Sequence, residues 1–208
     1  MDPCNVTQLR MLLDKYGFQF SKSKGQNFLI DPSVPDRIAA SACDQTSCVL
    51  EIGPGVGSLT SRLCRASPQV VAIEKDRSLE PLLRETMADF DNLRLVYDDA
   101  LRVDFQALTA REFPGQSVIV CANLPYYITT PMITALLEAR CFQSLTLMVQ
   151  KEVAQRISAD AGSGDYGAFS VFCQFYAQPR ILFQVPPDCF MPRPKVTSAV
   201  IRLDCRAA

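Results

Sequence analysis

The chain has 208 residues, 48% of them hydrophobic and 21% charged, with a formal net charge of −1 and no histidine. Such a length and balance suit one globular domain with a substantial core, and near-neutral charge argues against a protein that binds nucleic acid over its whole surface. The missing imidazoles exclude a Ser-His-Asp triad, a histidine base and a histidine-ligated metal.

In chain order, Val6, Leu9, Leu12 and Leu13 recur at helical spacing over residues 5–16, up to Gly17. A polar stretch from Ser21 turns apolar at Phe28-Leu29-Ile30, and Asp31-Pro32 opens a helix that runs to about Cys43. Ser47 to Ile52 reads as a strand. It is followed at once by Gly53-Pro54-Gly55-Val56-Gly57, and Ser58 to Leu63 starts a helix. Glycines let the backbone turn sharply and approach a ligand closely, with a helix N-terminus behind. The spacing is G-x-G-x-G, not the G-x-G-x-x-G of nicotinamide enzymes. Gln69 to Ile73 forms a second strand ending at Glu74, where an acid about 20 positions after the glycines binds ribose hydroxyls. A helix over about Leu79–Met87 leads to a third strand, Leu93–Tyr97, which ends in Asp98-Asp99-Ala100. A carboxylate there can accept a hydrogen bond from an adenine amino group.

The fourth strand, Val118 to Ala122, stops at Asn123-Leu124-Pro125-Tyr126. In an open α/β sheet, ligands lie outside the carboxyl ends of the strands. An Asn side-chain oxygen and a neighbouring backbone carbonyl can both accept from one NH2 group, and a tyrosine ring can stack on a base. The set fits the exocyclic amine of a nucleobase. Residues 131–139 form a helix with Pro131 in its first turn, Leu145–Val149 a fifth strand, and Gln150–Ile157 a further helix. After a Gly-rich loop at 161–165, Tyr166–Ala177 reads as helical and Ile181–Val185 as a strand. A proline-rich loop, Pro186 to Lys195, joins it to an antiparallel last strand, Val196–Leu203. Lys22 and Lys24 would form a local basic patch with Arg193 and Lys195 if they met in space. The nine cysteines are scattered with no C-x-x-C pair, so they read as reduced residues of a cytoplasmic protein without a zinc or other metal site. No apolar run approaches the roughly 18 residues of a membrane span, and Met1-Asp2-Pro3-Cys4-Asn5 does not open a signal peptide.

The glycine turn with Glu74 resembles the class I S-adenosylmethionine-dependent methyltransferases, and Asn123-Leu124-Pro125-Tyr126 the N-P-P-Y-type motif of amino-methyltransferases. Lys24 to Leu29, Glu51 to Gly55, Asn123 to Pro131, Gln150 to Val153 and Pro194 to Val200 together resemble the bacterial small-subunit rRNA adenine dimethyltransferases. The likeness runs from about residue 16 to 204. It implies a Rossmann-like α/β fold: a seven-stranded, mostly parallel sheet with the last strand antiparallel. It implies S-adenosylmethionine as cofactor and the small ribosomal subunit as substrate, with two adjacent adenosines of a 3′-terminal hairpin loop each methylated twice on N6. By this resemblance Asn27, Leu29 and Gly53 contact the methionine part of the cofactor, Glu74 its ribose and Asp99 its adenine, with Gly55 and Ala100 also among the cofactor-binding residues. Asn123 borders both cofactor and target base, with Leu124 and Pro125 beside it, and Tyr126 and Phe190 sandwich the flipped adenine. The family carries a further basic helical domain, whereas this sequence stops at Ala208. Residues 1–208 are therefore expected to be a catalytic domain alone, monomeric and holding rRNA weakly.

Three rivals compete with this reading. Large-subunit rRNA adenine methyltransferases that confer macrolide resistance share the fold and the Asn-x-Pro-Tyr motif, but Leu124, Thr130-Pro131 and Pro194 to Val200 favour the small-subunit type. A non-catalytic ribosome-assembly factor would keep the pocket without turnover. A nicotinamide dehydrogenase is disfavoured by the glycine spacing.

Overall fold

The computed structural model describes residues 1–21 and 25–206. Lys22 and Lys24 of the expected basic patch lie outside the described residues. Helix α1 (Val6–Lys15) is capped by Asn5, whose side chain accepts from the Gln8 amide, and it buries Leu9, Leu12 and Leu13. Gly17, at φ +60°, ends it. A two-residue strand β1 (Phe28–Leu29) precedes α2 (Ser33–Ala42), where Asp31 accepts from the Ser33 amide at 2.9 Å. Then follow β2 (Cys48–Ile52), α3 (Thr60–Ala66), β3 (Val70–Glu74), α4 (Glu80–Thr86) and β4 (Leu93–Tyr97). Next come α5 (Phe105–Glu112), β5 (Val118–Asn123), α6 (Thr129–Glu138), β6 (Ser144–Gln150), α7 (Lys151–Ile157) and α8 (Ala168–Tyr176). Strands β7 (Ala177–Val185), β8 (Phe190–Met191) and β9 (Ser198–Cys205) complete the described chain.

Seven strands form one sheet in the order β4-β3-β2-β5-β6-β9-β7. All pairs are parallel except those of β9, which runs antiparallel to β6 and β7. Helices on both faces explain why β2 and β3 are buried at every position. Side chains alternate between the faces: Leu50 and Ile52 pack with residues of α5 and α6, and Val49 packs with Ile38 of α2 and Leu63 of α3. Helices α1 and α4 form a third cluster around Leu9, Leu82 and Leu83, which Val56 of the glycine turn joins. The strand order reverses direction between β2 and β5, and a crevice is expected outside the carboxyl ends at such a switch point.

The fold is the expected one, with differences in detail. Helix α5 was not read from the sequence; Asp104 caps it by accepting from the Ala107 amide, and Phe105 and Leu108 bury its face. Strand β7 starts at Ala177, four positions before the expected Ile181, and so contains Pro179. It lies at the sheet edge, where the missing amide proton leaves no ladder bond unmade. Helix α6 starts at Thr129, which still leaves Pro131 in its first turn. The β1–β8 pair was also not anticipated. It aligns Leu29 with Phe190 and closes the proline-rich loop onto the N-terminal segment. All nine cysteines are free. No helix among the described residues is long and apolar enough to cross a membrane, and none of their His, Cys, Asp or Glu side chains cluster as a metal site.

Gly57 sits at φ +90°, and a Cβ there would lie 2.6 Å from the Met87 methyl and 3.2 Å from the Thr86 hydroxyl. Gly57→Ala is expected to destabilise the chain by about 1–3 kcal/mol, read as a lower urea midpoint at unchanged slope.

Candidate active site

A cavity of about 480 Å³ opens at the carboxyl ends of β2, β3, β4 and β5. Its lining includes Asn27, Leu29, Gly53, Gly55, Glu74, Asp99, Ala100, Asn123, Leu124, Pro125 and Tyr126. Of the residues picked from the sequence, only Phe190 is not part of this lining. It is 3% exposed, is paired with Leu29 and packs in the cluster of α2 and α3.

Each element positions its side chain for a local reason. Gly53 and Gly55 adopt φ +70° and +61°, and a Cβ on Gly55 would press on the Phe28 ring at 3.2 Å. Only glycine lets this backbone run under the cavity without strain. Glu74 ends β3, where one carboxylate oxygen accepts from the Gly55 amide at 3.2 Å and the other from the Asp76 amide at 2.7 Å. Burial nonetheless raises its pKa above the ordinary value. Asp99, beyond β4, accepts from the Lys75 ammonium at 2.8 Å, and that bond lowers its pKa. Its other oxygen caps the short turn at Leu101.

The Asn123 side chain donates to the Asn27 carbonyl at 3.1 Å, and the Asn27 side chain donates to the Gly25 carbonyl at 3.2 Å. The two asparagines thus tie the end of β5 to the N-terminal segment that covers the cavity. On the far side of the same segment, the Ser58 hydroxyl donates to the Leu29 carbonyl at 3.0 Å. Beyond Asn123 the chain turns sharply. The Leu124 amide donates to Met148 of β6 at 3.2 Å, and the Pro125 carbonyl accepts from the Ile128 amide at 3.1 Å and the Thr129 hydroxyl at 3.3 Å. The Tyr126 hydroxyl is 2.9 Å from the Ser198 hydroxyl of β9, which fixes the ring at the cavity wall.

The lining also holds residues not singled out from the sequence. Glu51, the one charged residue in the apolar run of β2, is 1% exposed, and its Oε2 has no hydrogen-bond partner. Burial pushes its pKa up to about 8, and the like charge of Glu74 adds to the shift. A carboxyl inside a strand buried on both faces was a signal in itself. Gln26 reaches Asp76 at 2.7 Å, and Tyr127 stands 57% exposed at the rim. These last two carried no signal in the sequence, because each depends on how the N-terminal segment folds over the sheet.

Among the described residues, the lining carries the acids Glu51, Glu74, Asp76, Asp98 and Asp99 and one base, Lys75. Such a cavity repels phosphate and favours a ligand that carries positive charge. Glycines under the ligand, a buried acid at the end of β3 and a second acid beyond β4 suit a nucleoside with a cationic appendage.

Sequence comparison matches residues 17–208 to the family described as ribosomal RNA adenine dimethylase. The ribosomal RNA small subunit methyltransferase A of Alkaliphilus oremlandii is 48% identical over 195 residues, 93% of this chain and 68% of that protein. The protein of the same name from Clostridium perfringens is 51% identical over 196 residues, 93% of this chain and 67% of its own length. Among solved structures, the 23S rRNA methyltransferase ErmE is similar at TM-score 0.75 and 31% identity, covering 86% of this chain and 70% of that one. A dimethyladenosine transferase from Plasmodium falciparum is similar at TM-score 0.75 and 28% identity, over 86% of this chain and 63% of that one.

Glu51 gives the site a pH signature. Its pKa is raised from the ordinary 4.5 to about 8, so between those values the folded chain holds a proton that the unfolded chain gives up. Stability therefore falls as pH rises through that window. Glu51→Gln is expected to flatten the fall in melting temperature of the ligand-free chain between about pH 5 and 8, and an unchanged slope would place the titration elsewhere.

Proposed function

The chain belongs to the ribosomal RNA adenine dimethylase family, and from that premise we propose that it transfers methyl groups from S-adenosylmethionine to the N6 amines of adenosines in small-subunit rRNA. Two adjacent adenosines of the 3′-terminal hairpin loop are the targets, each methylated twice, in the service of ribosome biogenesis. Residues 1–208 act as the catalytic unit, as a cytoplasmic monomer. The observation that carries the reading is the single cavity shared by the glycine turn, Glu74, Asp99 and the Asn123 to Tyr126 corner.

The residues fit the cofactor. Gly53 and Gly55 hold positive φ at the floor, where a Cβ on Gly55 would crowd the Phe28 ring. The spare lone pairs of the Glu74 carboxylate suit two ribose hydroxyls, and Asp99 suits the adenine amine. The excess of acids among the described lining residues suits a sulfonium. When bound, the cofactor supplies a methyl group on positively charged sulfur, a donor that needs no activation.

The protein's task is therefore to hold and orient the nucleophile. The adenine amine is a poor nucleophile because its lone pair is delocalised into the ring. Asn123 commits its amide nitrogen to the Asn27 carbonyl, which leaves its amide oxygen as acceptor for one amine proton. The Pro125 carbonyl is already used by the turn into α6. Of the two carbonyls that the motif offers, Leu124's is thus the one open to the second proton. Two acceptors held on a rigid corner favour a pyramidal nitrogen facing the donor, and such orientation supplies several kcal/mol of the barrier. No strong base takes part, in keeping with a chain without histidine. The base must leave its stack to enter, at a cost of a few kcal/mol, which stacking on the Tyr126 ring offsets. That ring is held by Ser198. Phe190, buried behind Leu29, reaches the base only if β8 shifts when RNA binds.

The relatives at 48% and 51% identity are small-subunit enzymes, while the 23S enzyme stands at 31%. This ranking supports the small-subunit substrate over the large-subunit one. An assay on small subunits lacking these methyl groups, beside large subunits from a macrolide-sensitive strain, decides between them. Transfer to the large subunit alone would overturn the assignment.

Asn123→Ala is expected to lower kcat on undermethylated small subunits on the order of 100-fold while the circular dichroism spectrum stays unchanged. Glu74→Ala is expected to weaken S-adenosylmethionine about 10- to 100-fold in calorimetric titration, the worth of hydrogen bonds to a charged group.

A further inference from the structure

The mechanism above gives a role to Tyr126 and none to the residue after it. We propose that Tyr127 is a specificity-determining residue of the same reaction: a second stacking platform, at the mouth of the cavity, for the base next to the adenine being methylated. The inference rests on the reading of two adjacent adenosines as substrate, and adds a subsite for the one that is not in the cavity.

Two consecutive tyrosines turn different ways at this corner. The Tyr126 hydroxyl lies 2.9 Å from that of Ser198 on β9, and the residue is half-buried in the wall. Tyr127 belongs to the same lining but is 57% exposed. It leans toward the N-terminal segment: a Cβ on Gly25 would stand 3.4 Å from its ring and 3.3 Å from the Pro125 Cβ. Its phenol also lies within electrostatic reach of Lys75 beyond β3, where it adds to the larger effect of Asp99 on that ammonium. The ring thus stands across the mouth, backed by Gly25 and Pro125 on one side and open to water on the other.

Unpaired RNA bases are held by stacking on aromatic side chains, because every base has a π-face. Flipping one adenine into the cavity strips its neighbour of a stacking partner, which is part of the cost of flipping. The Cα atoms of Tyr126 and Tyr127 are about 3.8 Å apart, and the two target bases are one phosphodiester apart. As one base enters beside Tyr126, the next in the strand therefore comes against the mouth, where Tyr127 offers a face. A cover for the cofactor would use only the inward side of the ring. The outward side faces the direction from which RNA arrives. A purine overlaps such a ring more fully than a pyrimidine does, so the platform favours an adenosine over a uridine at the neighbouring position.

Methyl transfer to small subunits lacking these methyl groups tests the proposal, with rRNA that carries both target adenosines or a uridine in place of either one. On the unaltered rRNA, Tyr127→Ala and Tyr127→Leu are each expected to raise KM about tenfold with kcat little changed, while Tyr127→Phe behaves as the wild type. The Kd for S-adenosylmethionine, from calorimetric titration, is expected to stay the same in all four proteins. For at least one uridine position, kcat/KM on the remaining adenosine should fall several-fold in the wild type and little further in Tyr127→Ala, since a stack already removed cannot be lost again. Tyr127→Leu, which keeps bulk without a π-face, takes this place if the alanine variant does not fold. Equal losses in wild type and variant at both positions, an unchanged KM, or a weakened cofactor with KM for the subunit unchanged would overturn the proposal and leave the methyltransferase reading standing. A wild type that transfers no methyl group to any of these subunits removes both.

Discussion

The site depends on the parallel pairing of β2 with β5 at the centre of the sheet. In that register Glu51 lies beside Cys121 and Ile52 beside Ala122, so the glycine turn and Asn123 leave the sheet at neighbouring points. Neither strand end could face the other without this pairing. It is also the place where the strand order reverses, so no crossover helix covers the gap between the loops. One hydrogen bond, from Asn123 to the Asn27 carbonyl, then draws the N-terminal segment over the opening. A residue 96 positions away in sequence thereby becomes part of the wall.

Electrostatics sets the character of the space so enclosed. Among the described residues, five carboxyl groups line it against one lysine, and they are held differently. Glu74 accepts two backbone amides, Asp99 is ion-paired with Lys75, and Glu51 stands without a partner on Oε2. Burial pushes the pKa values of Glu51 and Glu74 up, while the Lys75 bond draws that of Asp99 down. One cavity thus contains a carboxylate ready to accept from an amine and a carboxyl whose burial favours its neutral form. The nucleophile end differs in kind. Asn123 and the Leu124 carbonyl act through hydrogen bonds alone, on a corner anchored to β6 by the Leu124 amide.

The strands were legible because their periodicity and their boundaries are local. Leu93–Tyr97 ends where the sequence says it should, since the paired acids after Tyr97 favour a turn over a continued strand. Helix α5 was missed because only Phe105 and Leu108 give its buried face an apolar signal beside the polar Thr109 and Glu112, in a segment whose cap, Asp104, looks like any loop acid. The early start of β7 was hidden by Pro179, which is acceptable only at the edge position that the tertiary structure assigns. Within the pocket, glycines and acids at strand ends could be named because strand–turn–helix units place such residues at one rim. The basic patch could not be assessed, since Lys22 and Lys24 fall outside the described residues.

By itself, the sequence determined the kinds of element, their order and the group of side chains presented at the carboxyl ends of the strands. Those follow from apolar spacing, turn chemistry and capping, which act over a few residues. Tertiary structure alone decided that Glu51 would be sealed from water, that Asn123 would bind Asn27, and that Phe190 would sit behind Leu29. Each of these depends on which distant segments become neighbours, and burial, the force that shifts a carboxyl's pKa, exists only once they have packed together.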